Sequence, residues 1–277
     1  MILTELKISR PLRWPLLIVP FFVGAFAADT TNFFWPALAV FAFYFTFPAN
    51  MLLYGINDIA DLESDKKGGH KAGRNLVTPE NRWRIMNIII LWNLPFCVVW
   101  LADEMPNPAK LALLGFLFFG IFYSLKPIRA KTKPLLDSLF NVLYIFPGLF
   151  AYGLLEYRFP PWQLVAAAAL WGVAMHAYMS IPKISADKKA GISTVATLLR
   201  PLGTLVFCMA AVAGAAVLSY PWLKMFALGA GLFYLLILLA TFIRAQPAKP
   251  FALYKYAPII NAAAGVGLIF YIANIVK

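Results

Sequence analysis

The chain has 277 residues, of which 62% are hydrophobic and only 13% are charged, and its mean hydropathy is +0.75. Soluble domains are about 45–50% apolar and about 25% charged, so this composition excludes a soluble fold and predicts a protein of the lipid bilayer. The formal net charge of +12 does not indicate nucleic acid, because the basic residues lie in short loops between apolar runs rather than in a separate basic domain.

Apolar runs of spanning length follow one another along the chain, each near the ~20 residues that cross the hydrocarbon core. They lie at 12–28, 35–56, 85–102, 109–125, 135–155, 162–182, 203–220, 222–243 and 254–276. Tyr220 and Pro221 mark the junction of the seventh and eighth runs, which predicts a tight helical hairpin. The loops are too short for a second folded domain. We therefore predict an all-α membrane protein with nine transmembrane helices, forming a single domain over residues 1–277.

The positive charges predict the orientation of these helices. With the N-terminus in the cytosol, 20 of the Lys and Arg residues fall on the cytosolic side and 4 on the opposite side. Cytosolic loops carry such an excess, so we expect a cytosolic N-terminus and a C-terminus on the opposite side of the cell membrane. The two cysteines, Cys97 and Cys208, lie inside apolar runs without metal-site spacing and are predicted to be inert packing residues.

Acidic residues are concentrated at the cytosolic end of the second run, where four of the chain's 12 acids, Asp58, Asp61, Glu63 and Asp65, follow Asn57. Asn57, Asp61 and Asp65 recur every four residues, so a helix that continues this far stacks them on one face. Like charges at this spacing repel, and helix stability alone would not select them. Mg²⁺ binds through one or two carboxylates and completes its shell with water and phosphates, so the stack predicts a magnesium site. The alternative is a solvated acidic helix end beside lysines.

A second polar motif follows the sixth run, with Ser180, Lys183 and Asp187 on the same predicted side of the membrane. Asp187 is a second candidate metal ligand and catalytic carboxylate, and the alternative is an ordinary loop acid. Because the two motifs end helices four spans apart, we expect two halves of the bundle to face one central cavity.

A basic motif lies after the fourth run and contains Tyr123, Lys126 and Arg129. Arginine contacts phosphate through two hydrogen bonds and lysine brings a compact charge, so cations beside acidic motifs indicate a diphosphate site. We include Arg10 of the N-terminal segment in that site. The alternative for Lys126 and Arg129 is the ordinary excess of positive charge in cytosolic loops.

Polar residues inside the predicted spans are candidates for the lining of a substrate cavity, since polar groups at membrane depth usually face the interior of a bundle. These residues are Asn141, His176 and, at the end of its span, Ser180. Hydrogen bonding between helices is the alternative for Asn141, and also for Asn50. For His176 the alternatives are a catalytic base and a satisfied interior histidine.

The whole arrangement resembles the UbiA superfamily of intramembrane prenyltransferases. The family pattern NDxxDxxxD is matched by Asn57, Asp58, Asp61 and Asp65, and a Tyr-Ser-x-Lys-x-x-Arg-like element is matched by Tyr123, Ser124, Lys126 and Arg129. The resemblance covers nearly the whole chain. It implies Mg²⁺-dependent transfer of a prenyl group from an allylic diphosphate donor to a lipophilic acceptor in the bilayer.

Within the family, the runs at 52–69 and 176–199 are similar to the carotenoid-directed branch of lycopene elongases, which implies a polyene acceptor and a short donor. One departure concerns the second motif, which is DxxxD in the family: Lys183 stands at its first position and only Asp187 remains. We hypothesise that the Lys183 ammonium contacts the diphosphate directly and replaces one Mg²⁺ and its ligand. The alternative is that Lys183 turns to solvent and that activity is weak, altered or absent. The rival functions are prenylation of an aromatic acceptor and a membrane transporter. The sequence sets no oligomeric state.

Overall fold

The computed structural model describes residues 2–29, 35–62, 76–244 and 253–276, and within these ranges all regular structure is helical. Short 3-10 segments join several helices, and a π-helical turn at Ile272–Val276 follows the last one. The α-helices are α1 (Ile2–Ile8), α2 (Pro15–Ala27), α3 (Trp35–Thr46), α4 (Pro48–Ala60), α5 (Arg82–Val99), α6 (Asn107–Ser124), α7 (Leu136–Leu139), α8 (Phe146–Glu156), α9 (Trp162–Ser180), α10 (Ile184–Lys189), α11 (Val195–Arg244) and α12 (Ala257–Tyr271).

Seven helical stretches in the described part of the chain are long and apolar enough to cross a membrane. They are Pro36–Ala60, Arg82–Val99, Asn107–Ser124, Leu136–Glu156, Trp162–Lys189, Val195–Arg244 and Tyr254–Asn274. A shorter apolar helix covers Pro11–Ala27. The predicted all-α, multi-pass membrane protein is thereby confirmed, whereas the count of nine spans, the single domain, the central cavity and the sidedness of the termini stay predictions.

The 50-residue helix α11 changes direction at a place that the sequence did not predict. Helical backbone continues through Tyr220 and Pro221, and the nearest break lies at Lys224, whose φ of 44° and ψ of −124° are not helical. A second non-helical residue is Arg200, with a φ of 60° and a ψ of 172°, near the start of α11. The predicted hairpin boundary at Tyr220 and Pro221 is therefore wrong. Proline removes one backbone hydrogen bond and kinks a helix, but it keeps a helical φ and does not itself reverse the chain.

The chain forms two compact units, the first of residues 1–129 and 146–159 and the second of residues 130–145 and 160–277. The first unit has an aromatic core around Phe45 of α3. Its ring centroid lies 5.6 Å from Phe21 of α2, 5.5 Å from Phe116 of α6 and 5.6 Å from Phe150 of α8. All four rings are buried, and offset aromatic pairs of this kind stabilise a core beyond the area that they bury.

Glycines allow a close helix contact in the first unit, between α2 and α8. A Cβ atom added at Gly24 would meet the backbone of Gly148. Helices in lipid associate through close van der Waals packing, which small residues at the contact permit. The glycine at position 24 is therefore required by the approach of the facing backbone.

The second unit is built around α9, which packs along α11. Tyr178 of α9 and Thr241 of α11 share a hydrogen bond of 3.0 Å between buried hydroxyls. The Tyr234 hydroxyl of α11 donates to Asn261 of α12 at 2.9 Å. Such bonds satisfy polar groups that would otherwise lie unpaired in hydrocarbon, and each contributes about 0.6 kcal/mol on average to helix association.

Candidate active site

The end of α4 places Asn57 and Asp61 one helical turn apart. Asp61 caps the helix, and its backbone N–H donates to the Asn57 carbonyl at 3.0 Å. Helical geometry at this spacing puts both side chains on one face, as the sequence predicts. Asp65, the third predicted member of the stack, lies outside the described residues.

The face of α4 that carries Asn57 and Asp61 meets the C-terminal end of α6. The Asn57 amide nitrogen donates to the buried Ser124 hydroxyl at 3.0 Å. The atom of this side chain that can bind a metal is the amide oxygen, because the amide nitrogen is a donor only. An Arg129 guanidinium nitrogen lies 3.9 Å from Asp61 Oδ1. Arg129 has a φ of 46°, and this left-handed turn after α6 directs the chain away from the helix.

Asp58 is engaged on a neighbouring face of α4. An Arg10 guanidinium nitrogen lies 2.5 Å from Asp58 Oδ1, and the guanidinium carbon lies 4.6 Å from the centroid of the Tyr54 ring. Tyr54 and Asp58 are four residues apart and so share this face. The acidic motif is therefore split, with Asp58 paired to the N-terminal segment and Asn57 and Asp61 turned to the end of α6.

The predicted diphosphate residues of the first unit lie at the edge of this group. Tyr123 is half-buried in the last turn of α6, and Lys126 is exposed just after it. The structure thus brings Arg10 and Arg129 into contact with the acidic motif and places Tyr123 and Lys126 in the segment between Ser124 and Arg129.

Asn57 and Asp61 offer the oxygen atoms that a hard cation prefers, and one or two carboxylates suffice for Mg²⁺ in sites that also bind phosphate. Within the residues that the structure describes, no group of three or more His, Cys, Asp or Glu side chains is placed to hold a metal. The donor set fits Mg²⁺ rather than a metal that prefers nitrogen or sulfur.

The second predicted motif lies in the second unit, where α9 ends at Ser180 and a 3-10 turn, Ile181–Lys183, leads into α10. Lys183 is exposed, Asp187 is half-buried, and their spacing of four puts them on one helical face. The Ser180 hydroxyl donates to the His176 carbonyl at 3.0 Å, so it is bonded to the backbone of its own helix.

Sequence reasoning missed two buried residues of the second unit, Asp137 and Ser138 of α7. The Ser138 hydroxyl lies 3.2 Å from His176 Nδ1 and 3.4 Å from Asp137 Oδ2. The Asn141 amide donates to the Asp137 carbonyl at 2.7 Å. The signal that was available is an acid within a predicted span, because such residues are rare and usually functional.

The family model of the UbiA prenyltransferase family matches residues 17–259. The chain belongs to the UbiA prenyltransferase family. This UbiA-family protein is accordingly a prenyltransferase, and the acidic, amide and basic side chains at the end of α4 are the candidates for its active site.

Two relatives are similar over most of this prenyltransferase. It is 36% identical over 241 residues to a lycopene elongase/hydratase of Haloarcula japonica, with 82% of this chain and 81% of that protein covered. It is 39% identical over 220 residues to a lycopene elongase/hydratase of Haloferax volcanii, with 76% and 71% covered.

Solved structures of UbiA homologs have the same fold as this prenyltransferase. A homolog from Archaeoglobus fulgidus, bound to DMAPP and Mg²⁺, aligns with a TM-score of 0.71 at 19% identity over 96% of this chain and 99% of that one. An apo homolog from Aeropyrum pernix K1 aligns with a TM-score of 0.68 at 21% identity over 93% and 96%. The predicted UbiA-like fold is confirmed.

Proposed function

We propose that this prenyltransferase moves a prenyl group from an allylic diphosphate to a lipophilic polyene of the carotenoid type, such as lycopene, in a Mg²⁺-dependent reaction. The observation that carries the proposal is the geometry at the end of α4. There Asn57 and Asp61 share one helical face, with Arg129 3.9 Å from Asp61. A group of oxygen ligands beside a guanidinium suits a metal-bound diphosphate.

Each of these side chains has a role in binding the donor. Asn57, Asp61 and Asp65 would hold Mg²⁺ with help from Asp187, and the ion when bound supplies positive charge to the leaving diphosphate. Arg129 and Lys126 place fixed positive charge where negative charge builds as the bond to the allylic carbon breaks. Tyr123 and Lys183 complete the predicted contacts with the diphosphate. Asp58 supports the site through its pair with Arg10.

The acceptor is inferred from sequence similarity. The relatives at 36–39% identity are lycopene elongase/hydratases, and they cover about three quarters or more of this chain. The homolog bound to DMAPP and Mg²⁺ supports a short allylic donor. The described part of the chain consists largely of apolar helices, which agrees with an acceptor that is dissolved in the bilayer.

Expression in a host that makes lycopene tests the proposal. We expect a carotenoid product heavier by one or two prenyl units, and we expect Asp61→Ala to abolish it. Asp103→Ala is the matched control, because it removes an exposed acid from the loop that follows α5. The cytosolic position of the acidic motif is part of the proposal and is checked by labelling single cysteines placed beside it.

Other outcomes point to the rival functions. If diphosphate release depends on Mg²⁺ and on an added aromatic compound while lycopene stays unchanged, the acceptor is aromatic and not a polyene. Uptake of labelled donor into sealed vesicles without any diphosphate release would favour a transporter. Full carotenoid product from Asp61→Ala would remove the proposed role of the acidic motif.

A further inference from the structure

A surface cavity of about 320 Å³ lies in the second unit, and none of the residues proposed for donor binding lines it. Its walls come from the segment before α7, from the loop that joins α10 to α11, and from the start of α11. The lining residues are Pro134, Lys188, Gly191, Ile192, Ser193, Thr197 and Leu198. All of them belong to the second unit, so this unit forms the cavity by itself.

The cavity lies at the level where membrane-spanning stretches begin and end. The apolar stretches Leu136–Glu156 and Val195–Arg244 begin at its rim, and the stretch Trp162–Lys189 ends there. Non-helical backbone at Arg200 separates the start of α11, which lines the cavity, from the long apolar part of that helix. Three stretches long enough to cross the hydrocarbon core thus have one end at the cavity, which places it at the depth of the lipid head groups.

Hydrogen bonds fix the backbone on both sides of the cavity. The Ile192 N–H donates to the Asp187 carbonyl at 2.8 Å, and Gly191 has a φ of 68°, the left-handed conformation that often ends a helix such as α10. The Thr194 N–H donates to Thr197 Oγ1 at 2.7 Å, and the Thr197 N–H donates to Thr194 Oγ1 at 3.2 Å. The loop is therefore held at both ends, and the cavity is formed without a ligand.

The polar side chains at the cavity suit an anion. Lys188 and Ser193 are exposed in its wall, and none of the described residues that line it is acidic. Two more exposed lysines, Lys133 and Lys189, directly precede and follow lining residues in the sequence. Asp187 is half-buried and does not line the cavity. An ammonium beside a hydroxyl offers a charge-assisted contact and a hydrogen bond to one phosphate group.

The other walls are apolar, and they distinguish a lipid phosphate from a free one. Leu198 is 59% exposed, and Leu135, which follows the lining residue Pro134, is 56% exposed. A small soluble anion would leave these side chains in water. A phospholipid covers both kinds of surface, because its phosphate is joined through glycerol to acyl chains that contact apolar side chains at the edge of the bilayer.

We propose that this cavity binds the phosphate of an anionic phospholipid, with Lys188 as the cation and Ser193 as a hydrogen-bond donor. Basic pockets between membrane helices bind the head groups of anionic lipids. A zwitterionic lipid such as phosphatidylcholine is disfavoured, because its quaternary ammonium would lie beside the lysines that surround the cavity. The site is separate from the proposed prenyl transfer, and neither inference depends on the other.

The binding of phosphatidylglycerol to the full chain in neutral detergent tests the proposal. Native mass spectrometry counts the bound lipid, and thermal unfolding is followed in parallel. We expect Lys188→Gln to weaken binding of the first phosphatidylglycerol by about tenfold, since a hydrogen bond to a charged group contributes about 1.5–3 kcal/mol. Lys189→Gln is the matched control, because it removes the same charge from an exposed residue that does not line the cavity, and we expect a change of less than about twofold.

Ser193→Phe tests the shape of the cavity while every charge is kept. Its ring fills the space that the phosphate would occupy, so we expect it to weaken binding about as much as Lys188→Gln. We also expect phosphatidylglycerol to raise the unfolding temperature of the parent and to have little effect on that of either variant.

Three results would overturn the inference. Equal weakening by Lys188→Gln and Lys189→Gln would show a general attraction of lipid to a basic surface. Parental affinity in both Lys188→Gln and Ser193→Phe would show that the lipid binds elsewhere. If inorganic phosphate raises the unfolding temperature of the parent but not of Lys188→Gln, and phosphatidylglycerol has no effect, the ligand is a free phosphate. None of these measurements uses diphosphate release, so they leave the proposed function untouched.

Discussion

Removal of Arg10 should have opposite effects on the binding of metal and of donor. Its guanidinium lies 2.5 Å from Asp58 and over the ring of Tyr54. The Arg10 and Asp58 side chains are 38% and 21% exposed, so water screens the pair, and pairs of this kind contribute about 0.2–1 kcal/mol. An interaction of about 1 kcal/mol changes an equilibrium constant by about fivefold.

Arg10→Ala leaves a more negative acidic motif beside the proposed magnesium site. We therefore expect the half-saturating Mg²⁺ concentration to fall by up to about fivefold. The KM for the allylic diphosphate should rise by about 10-fold to 100-fold, because a charge-assisted hydrogen bond to a phosphate contributes about 1.5–3 kcal/mol. The opposite signs of these two effects distinguish electrostatics from general damage to the fold, which would weaken both.

The assay is the initial rate of diphosphate release, with Mg²⁺ varied at saturating donor and donor varied at saturating Mg²⁺. Arg13→Ala is the matched control, since it removes the same charge from the adjacent 3-10 turn. Weaker binding of both Mg²⁺ and the donor in Arg10→Ala would show that Arg10 only maintains the conformation of the acidic motif. Equal effects from Arg13→Ala would refute a specific role of the pair with Asp58.

Three further predictions follow from single contacts. Asn57→Ala removes a proposed metal ligand and should lower the rate of diphosphate release by about 100-fold. Ser124→Ala removes only the hydrogen bond that orients the Asn57 side chain, and it should lower that rate by about tenfold or less. Gly24→Ala should destabilise the detergent-solubilised protein by about 1–3 kcal/mol in thermal unfolding, because the added Cβ meets the facing backbone. Gly229→Ala is the control, since a Cβ at this position has open space around it, and it should be neutral or stabilising. Lys183→Ala should raise the donor KM about tenfold in steady-state kinetics with unchanged Mg²⁺ dependence, and parental kinetics would exclude direct contact with the diphosphate.

The membrane helices were predictable because spanning length and apolar composition are properties of local sequence. The predicted runs 85–102 and 162–182 correspond to the helices Arg82–Val99 and Trp162–Ser180. The turn within α11 was not predictable from proline. Its position at Lys224 depends on how the two halves of that helix pack, and sequence periodicity does not contain this.

The acidic motif was predictable only in part. Its spacing correctly placed Asn57 and Asp61 on one face, because both belong to one helix. The pairing of Asp58 with Arg10 joins residues 48 positions apart, and no local pattern reports such a contact. Asp137 itself was visible as an acid within a predicted span, but its contacts with Val195 and His176 join distant segments and were not predictable.

The two ion pairs at the end of α4 suggest a division of tasks within the proposed donor site. Arg10 pairs with Asp58, whereas Arg129 lies beside Asp61 on the face that also carries Asn57. Such a group of charges suits the binding and departure of an anion. If Asp61 is a metal ligand and Asp58 only holds Arg10, variants of the two pairs must fail differently. Asp61→Ala should then stop diphosphate release, whereas Arg10→Ala should keep the rate at saturating donor and raise the donor KM.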